Sequence, residues 1–528
     1  MTSTLDRPST TGEAGALPTA LVQRLAQIVT AAPGRPTQSS YSPFDGSLVG
    51  EVPTCTAEDV TEAVRRARVA QRAWAARPVA ERARVLLRYH DLLLARQEQV
   101  LDVAQVETGK ARVNAFDELA DAAMTARYYA RTARKHLKPA RRQGAVPGLT
   151  KAVEHRHPKG VVGVISPWNY PLTLAVSDAL PALVAGNGVV IKPDAQTPFT
   201  ALIAIELLYE AGLPRDLFTV VTGAGRVLGT PMVEQVDYLM FTGSTATGRL
   251  LAEQCGRRLI GFSGELGGKN PMIVLADCDL EKTVEGAVRA CFSNSGQLCI
   301  SIERMYVEDA AWDRFVPAFV ERVKSMRLAA GLTWEAEMGC LVSQEQLDVV
   351  TRHVDDAVSR GARVLAGGRA RPDLGPLFYE PTVLEGVSDG MELMREETFG
   401  PVVALYRVRD VDEAVELAND TCYGLNASIW TTAERGEQIA PRIAAGTVNV
   451  NEGYAAAWAS HDAPMGGMKD SGVGRRHGRE GLLKYTEAQT VAVQRLVPVG
   501  PMPGQTNEKY AKTMTIAAKA LKKMPFLT

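Results

Sequence analysis

The chain has 528 residues, 46% hydrophobic and 23% charged, and its 59 Lys plus Arg nearly balance 60 Asp plus Glu, for a formal charge of -1. That length calls for two or three domains around at least two cores, and the balanced charge offers no field for nucleic acid, so no nucleic-acid partner is expected. Seven widely spread cysteines with no CxxC pair, and no HExxH, argue against a disulfide framework or a zinc site and predict no metal in the chemistry.

The N-terminus, MTSTLDRPSTTGEAGALP, has no basic segment followed by a long apolar core, and no stretch approaches 18 uninterrupted apolar residues. A cytoplasmic protein is expected. Residues up to about 16 are polar and predicted disordered, whereas Thr19 to Ala31 has helical apolar spacing and is placed as a cap on the body. From Thr56 to Leu137 long amphipathic helices are predicted, the first opened by a capping run from Thr56 to Asp59.

From Gly160 the runs GVVGVIS, VSDALPALVAG, GVVIKP, ALIAIELLYEAG and FTVVTG alternate strand-like and helical patterns. Near-continuous apolar strands separated by helices predict buried parallel strands in a doubly wound α/β domain, which binds nucleotides at the carboxyl ends of its strands. YLMFTGSTATGRLLAEQ reads as strand, glycine turn and helix, with Gly243 and Gly248 letting backbone approach a pyrophosphate. Its GxxxxG spacing meets neither the GxGxxG fingerprint nor the P-loop, so taken alone it is more often a structural turn. A second α/β section follows Asn270, with PMIVLAD, RMYVED, a helix from Ala311 to Leu328, RVLAGG and PVVALYRV.

Within that section lies FSNSGQLCI, and Cys299 stands there among small polar residues, 34 positions after Glu265 in ELGGKNP. A thiol on a turn with a carboxylate nearby suggests acyl chemistry at sulfur, although a lone cysteine is usually a small buried hydrophobe. The tail after Gly500 places Tyr510, Met514, Ala517, Leu521 and Met524 at helical spacing with five lysines largely on other faces. Contact with an anionic membrane surface is one reading of it; docking on its own body or fraying is favoured.

PWN at Pro167 to Asn169, IKP at Ile191 to Pro193, FTGSTATG at Phe241 to Gly248, the Cys299 stretch and ETFGP at Glu397 to Pro401, in this order, resemble the aldehyde dehydrogenase family from about Thr37 to about Val493. The resemblance implies two doubly wound α/β domains with a small β-hairpin oligomerisation element. Residues 37–143 and 159–270 would bind dinucleotide, 271–472 would form the catalytic domain, and 144–158 with 473–499 the oligomerisation element, a hairpin near Ala145 to His157 pairing with Leu496 and its neighbours. Residues 1–36 and 500–528 are extensions. A homodimer or tetramer is implied.

In the chemistry the resemblance implies, Cys299 attacks an aldehyde, Asn169 and the Cys299 N–H hold the oxyanion, and Glu265 activates water to release a free acid. A reactive, low-pKa Cys299 thiol is expected. Cofactor contacts would come from Ile165, Ser166, Trp168, Lys192, Ala195, Gly225, Gly229, Phe241, Thr242, Gly243, Ser244, Thr247 and Leu266, with Glu397 on the nicotinamide ribose and Phe399 beside the ring.

Three departures from the family pattern matter. Ala195 stands where NAD-preferring members carry a glutamate, which makes NADP the expected cofactor with NAD open, unless Asp194 turns inward. Asp178 and Arg476 both invert the usual charge, so they are expected to pair. The chain is similar to actinobacterial NADP-dependent succinate-semialdehyde dehydrogenases, yet Ser177 and Ser293 replace the arginines that clamp that substrate's carboxylate; Arg476, Arg289 and Arg304 are candidate substitutes. Tyr454 and Trp458 would form an aromatic rim or pack structurally. Medium-chain or aromatic aldehydes, and a catalytically silent binding protein, remain the alternatives.

Overall fold

The computed structural model describes residues 16–145, 149–495 and 498–523. The polar start, Leu496 and Met524 therefore lie outside the described residues. Two sheets organise the chain, and both follow from the apolar runs in the sequence.

The first sheet holds β1 (Val161–Ile165), β2 (Gly188–Lys192), β3 (Phe218–Val220), β4 (Tyr238–Thr242) and β5 (Gly261–Glu265), all parallel, in the order β5-β4-β1-β2-β3. Every residue of β1, β2 and β4 is buried, as a parallel strand covered by helices on both faces requires. The chain leaves β1 toward β2 on one side and returns to β4 on the other, so a crevice opens at the carboxyl ends between β1 and β4.

The second sheet contains β6 (Asn270–Val274), β7 (Ile302–Glu308), β8 (Arg363–Ala366), β9 (Thr382–Glu385), β10 (Val402–Val408), β11 (Asn426–Trp430) and β12 (Thr447–Val450), in the order β8-β9-β10-β7-β6-β11-β12. Only the β8–β9 pairing is antiparallel. The chain then returns to the first sheet, where β13 (Gly472–Val473) pairs antiparallel with the end of β5. Residues 472 and 473 thus join the nucleotide-type sheet, and the helix Gly478–Leu483 packs on Arg112–Leu137, which moves that part of the expected 473–499 element into the first domain. The segment expected to form the oligomerisation element lies in a three-stranded antiparallel sheet of Ala140–Arg142, Thr150–Pro158 and Thr486–Gln494.

Thr19–Ala26 forms the expected cap helix, burying Leu21 and Leu25. The helix Ala57–Ala75 starts where Asp59 accepts the Thr56 N–H at 2.8 Å, the predicted cap. The tail forms a helix, Asn507–Leu521, that buries none of its residues, so docking on the body is not what the described residues do.

Cys299 lies where the cysteine turn crosses the ETFGP turn. Gly296 sits at φ +69°, and a Cβ there would stand 2.0 Å from the Gly400 carbonyl oxygen. Asn294 and Ser295 before it also adopt positive φ. Gly296→Ala should therefore force the two turns apart, costing at least about 2 kcal/mol by overpacking and strain. A lower melting temperature together with lost turnover is expected; a variant matching the parent in both would show that the turns slide freely.

Candidate active site

A cavity of about 210 Å³ opens where the two sheets meet, lined by Trp168, Asn169, Thr242, Glu265, Cys299 and Glu397 among others. Glu265 ends β5, and Thr242 to Ser244 follow β4. The PWN turn follows β1, and Cys299 comes from the second domain.

Buried pairs hold the reacting turns in place. The Asn169 carbonyl accepts from Lys110 Nζ at 2.7 Å and from Asn294 Nδ2 at 3.0 Å, while Lys110 is itself paired with Glu118, both fully buried. The Asn169 amide donates one hydrogen to Gln297 O at 3.0 Å, leaving a second hydrogen on the same nitrogen. Glu303, paired with Lys269 at 2.5 Å, accepts the N–H groups of Thr398 and Phe399 at 2.9 Å each. That clip fixes ETFGP, holds Phe399 at φ +52°, and sets its ring edge-on to Trp168 at 5.3 Å. Glu397 then accepts Gly268 N–H at 2.9 Å. None of Lys110, Glu118, Lys269 and Glu303 was singled out from sequence; lysines flanked by glycine in ETGK and GGKN were the only signal.

Electrostatics correct one expectation. Burial, with the charges of Glu397 and Glu265 adding to it and Arg476 opposing, pushes the Cys299 thiol up to about 12. Cys299 is therefore a thiol at rest, not the low-pKa group expected. Glu265 is raised to about 7 by burial, opposed first by Arg476 and then by Lys484. Glu397 is raised to about 8, again by burial.

Asp178 and Arg476 do meet. Arg476 Nη2 donates to Asp178 Oδ2 with both side chains under a tenth exposed, and Lys484 Nζ, missed from sequence, reaches Asp178 Oδ1 at 3.4 Å. Antiparallel bonds between Arg476 and Met465 position the arginine beside Glu265.

The cofactor candidates cluster at the crevice. Ile165 and Ser166 end β1, Phe241 and Thr242 end β4, and Ser244 caps the helix Thr245–Arg258 by accepting Thr247 N–H. Gly225 opens the helix Gly225–Val233, which also carries Gly229, and an added Cβ would lie 3.8 Å from the Lys192 side chain. Lys192 Nζ donates only to its neighbour Pro193 O, at 2.8 Å, and the buried Ser166 hydroxyl has no partner. Those polar groups, with the free N–H groups of two helix starts, fit a dinucleotide. Gly248 is also constrained by packing: an added Cβ would stand 2.4 Å from Leu266, so the helix can lie close to the end of β5 only with glycine there. Asp194 does not turn inward; its Oδ1 accepts Gln196 N–H at 2.9 Å, and the Ala195 carbonyl accepts from Gln38.

On the other side of Cys299, Tyr454 packs with Tyr170, Leu174, Leu298 and Met465, and Trp458 stands edge-on to Tyr170 at 5.9 Å, so both aromatic residues belong to the wall around the thiol. Ser293 hydrogen-bonds Tyr454. The Ser177 hydroxyl is spent on Asp121, at 3.1 Å, rather than facing the cavity. Arg304 is excluded as a substrate ligand because its guanidinium is consumed by the carbonyls of Lys269, Leu417 and Ala418. Arg289 is exposed, and its charge acts on Tyr454 and Asp117.

Residues 29–491 match the family model described as "Aldehyde dehydrogenase family". The chain belongs to the aldehyde dehydrogenase family. A Mycolicibacterium smegmatis protein named "Putative succinate-semialdehyde dehydrogenase", of the NADP(+) type, is 60% identical over 91% of this chain and 93% of its own length. The solved succinate-semialdehyde dehydrogenase of Burkholderia pseudomallei superposes with a TM-score of 0.84 at 33% identity, over 88% of this chain and 96% of that one. PnpE of Pseudomonas sp. WBC-3, solved with nicotinamide adenine dinucleotide, is 36% identical with a TM-score of 0.85, over 90% and 97%. The aldehyde dehydrogenase fold is thus shared across nearly the whole body of the chain.

Asp178 raises the Glu265 pKa and Arg476 lowers it. Asp178→Ala should leave Arg476 unpaired, cost about 3 kcal/mol or more of stability, and move the acidic limb of the kcat profile to lower pH. A base acts as its carboxylate, so a lower Glu265 pKa would extend the ionised form to lower pH. A stable variant with an unmoved limb would separate this pair from the base.

Proposed function

We propose that the protein oxidises an aldehyde to its carboxylic acid with a nicotinamide dinucleotide, and that succinate semialdehyde with NADP is the pair it uses. The observation that carries this reading is Cys299, Glu265 and Glu397 lining one cavity at the end of the nucleotide-type crevice.

Cys299 sulfur bonds to the aldehyde carbon, and its proton must leave. With the thiol near 12, Arg476 already opposing the rise, and Glu265 near 7, ionised Glu265 is a weak acceptor, so the proton leaves as the sulfur–carbon bond forms rather than before it. The oxyanion of the resulting thiohemiacetal takes the Cys299 N–H and the second Asn169 amide hydrogen; one such donor is worth about 3 to 4 kcal/mol. The dinucleotide, when bound, supplies the hydride acceptor. Glu265, half ionised near neutrality, then takes a proton from the water that cleaves the Cys299 thioester. Lys192 and Glu397 are assigned to the two riboses. Ala195, with no carboxylate to repel a 2′-phosphate, supports NADP, as does the name of the Mycolicibacterium relative.

For the substrate carboxylate we assign Arg289, which lies one helical turn before Ser293 on the helix Leu280–Phe292 and near Tyr454. A homo-oligomer built on the strand Thr486–Gln494, whose Val491 and Val493 are exposed, completes the reading.

Initial rates of NADPH and NADH formation with succinate semialdehyde, hexanal and benzaldehyde, with Cys299→Ala as control, test it. A preference in kcat/KM above about tenfold for NADP with succinate semialdehyde, roughly 1.4 kcal/mol, is expected. Preference for the uncharged aldehydes would replace it with a broad-specificity enzyme, and no turnover with any aldehyde would favour a silent binding protein.

Arg289→Ala should raise KM for succinate semialdehyde about tenfold or more, the usual effect of losing a charged hydrogen bond, and leave hexanal unchanged. Equal effects on both substrates would place the arginine away from the carboxylate.

A further inference from the structure

Below the aromatic wall, three segments far apart in sequence bring Asp121, His461 and His477 together, with their ligand atoms all within 4.8 Å of one another. Asp121 stands on the helix Arg112–Leu137, His461 in the loop that also carries Tyr454 and Trp458, and His477 at the start of the helix Gly478–Leu483. All three are at most 9% exposed.

The hydrogen-bond inventory of this cluster does not close. His461 Nδ1 lies 2.8 Å from the Ala459 carbonyl, which only accepts, so Nδ1 carries the hydrogen and Nε2 of the neutral ring presents a lone pair. That lone pair faces Asp121 Oδ1 at 3.2 Å, an acceptor opposite an acceptor. Asp121 Oδ2 is already served by the hydroxyls of Ser177 and Thr173. His477 is 3% exposed, and neither of its ring nitrogens has a partner. Its ring lies 4.9 Å from that of His461. Leaving two imidazole nitrogens orphaned in the interior is costly, and something must satisfy them.

We propose that Asp121, His461 and His477 form a binding site for a divalent transition cation of the zinc class, which ties the 452–467 loop to the scaffold outside the reacting centre. Two imidazole nitrogens and one carboxylate oxygen suit Zn²⁺, with a fourth position for water. The carbonyl behind His461 Nδ1 and the hydroxyls behind Asp121 are the outer partners that orient such ligands. Tetrahedral separations of about 3.3 Å, set by metal–ligand bonds of about 2.0 to 2.1 Å, require ligand atoms that now lie within 4.8 Å of one another to close by at most about 1.5 Å. The neighbouring Arg476 charge is balanced by Asp178. The inference does not rest on the reaction proposed above.

The test uses the full chain in a Cys299→Ala background, which removes the reacting thiol as a competing ligand. After treatment with a chelator it is titrated with Zn²⁺ and with Co²⁺, reading metal equivalents by mass spectrometry, the cobalt ligand-field spectrum and the melting temperature. One equivalent per chain, visible cobalt bands without thiolate charge transfer, and a Zn²⁺-dependent rise in melting temperature are expected, with binding weakened at least tenfold in His461→Ala and in His477→Ala. No stoichiometric binding, or binding indifferent to both substitutions, overturns the site in favour of a His461 imidazolium on Asp121 with water on His477. Should both variants fail to fold, the parent's cobalt spectrum decides: nitrogen and oxygen ligation supports the site, and thiolate bands or none overturn it.

Discussion

Burying ionisable groups in one seam is the constraint on which the site depends. Cys299, Glu265 and Glu397 all meet in the same cavity, and burial raises each of them because it penalises the charged form. Two carboxyls beside a thiol add to the effect of burial, and one cation opposes them. Arg476 is that cation, and an arginine so deeply buried needs a partner of its own. Asp178 supplies it, and Lys484 joins Asp178 from the other side. The two cations, Arg476 and Lys484, thus serve Asp178 directly and lower Glu265 through space.

The same device recurs one step further out. Each reacting side chain sits on a turn whose backbone groups are held by a buried ion pair belonging to the scaffold. Lys110 with Glu118 carries the Asn169 carbonyl and also the Leu172 N–H, and Lys269 with Glu303 carries the ETFGP turn. A buried pair is weak evidence for stability but strong evidence for placement, because a fully desolvated ammonium tolerates few alternative geometries. The loops can therefore be irregular, with Asn294, Ser295 and Phe399 at positive φ, and still present their side chains in one arrangement.

What the sequence made legible follows from this division. The doubly wound sheets were readable because parallel strands buried on both faces are short apolar runs, as in GVVGVIS and GVVIKP. The Asp178–Arg476 contact was readable because two charges inverted together. Arg304 looked like a free cation in sequence but is consumed by three carbonyls, and nothing in its neighbours announces that. The Cys299 thiol was misjudged because motif and spacing say nothing of desolvation, which dominates its pKa. The packing of Gly248 against Leu266 was not legible either, because the glycine turn motif does not show what its helix lies against. Asp121, His461 and His477 could not have been associated: the first two alone are 340 positions apart.

Having arginine rather than lysine as the charge acting on Glu265 also limits how protons move. A guanidinium does not give up its proton in a protein, so Arg476 can set the field at Glu265 but cannot relay from it. Lys484 differs: burial lowers its pKa, with Asp178 acting against that shift, and its Nζ touches both Asp178 and Ser263. The cation touching the inner chain of polar groups that is able to exchange a proton therefore lies one residue behind the fixed charge. Glu265 itself lines the cavity, and a carboxyl raised to about 7 exchanges its proton near neutrality. A permanent charge that stabilises the carboxylate is thus kept apart from the groups that can exchange a proton, and the inverted polarity at 178 and 476 places that permanent charge.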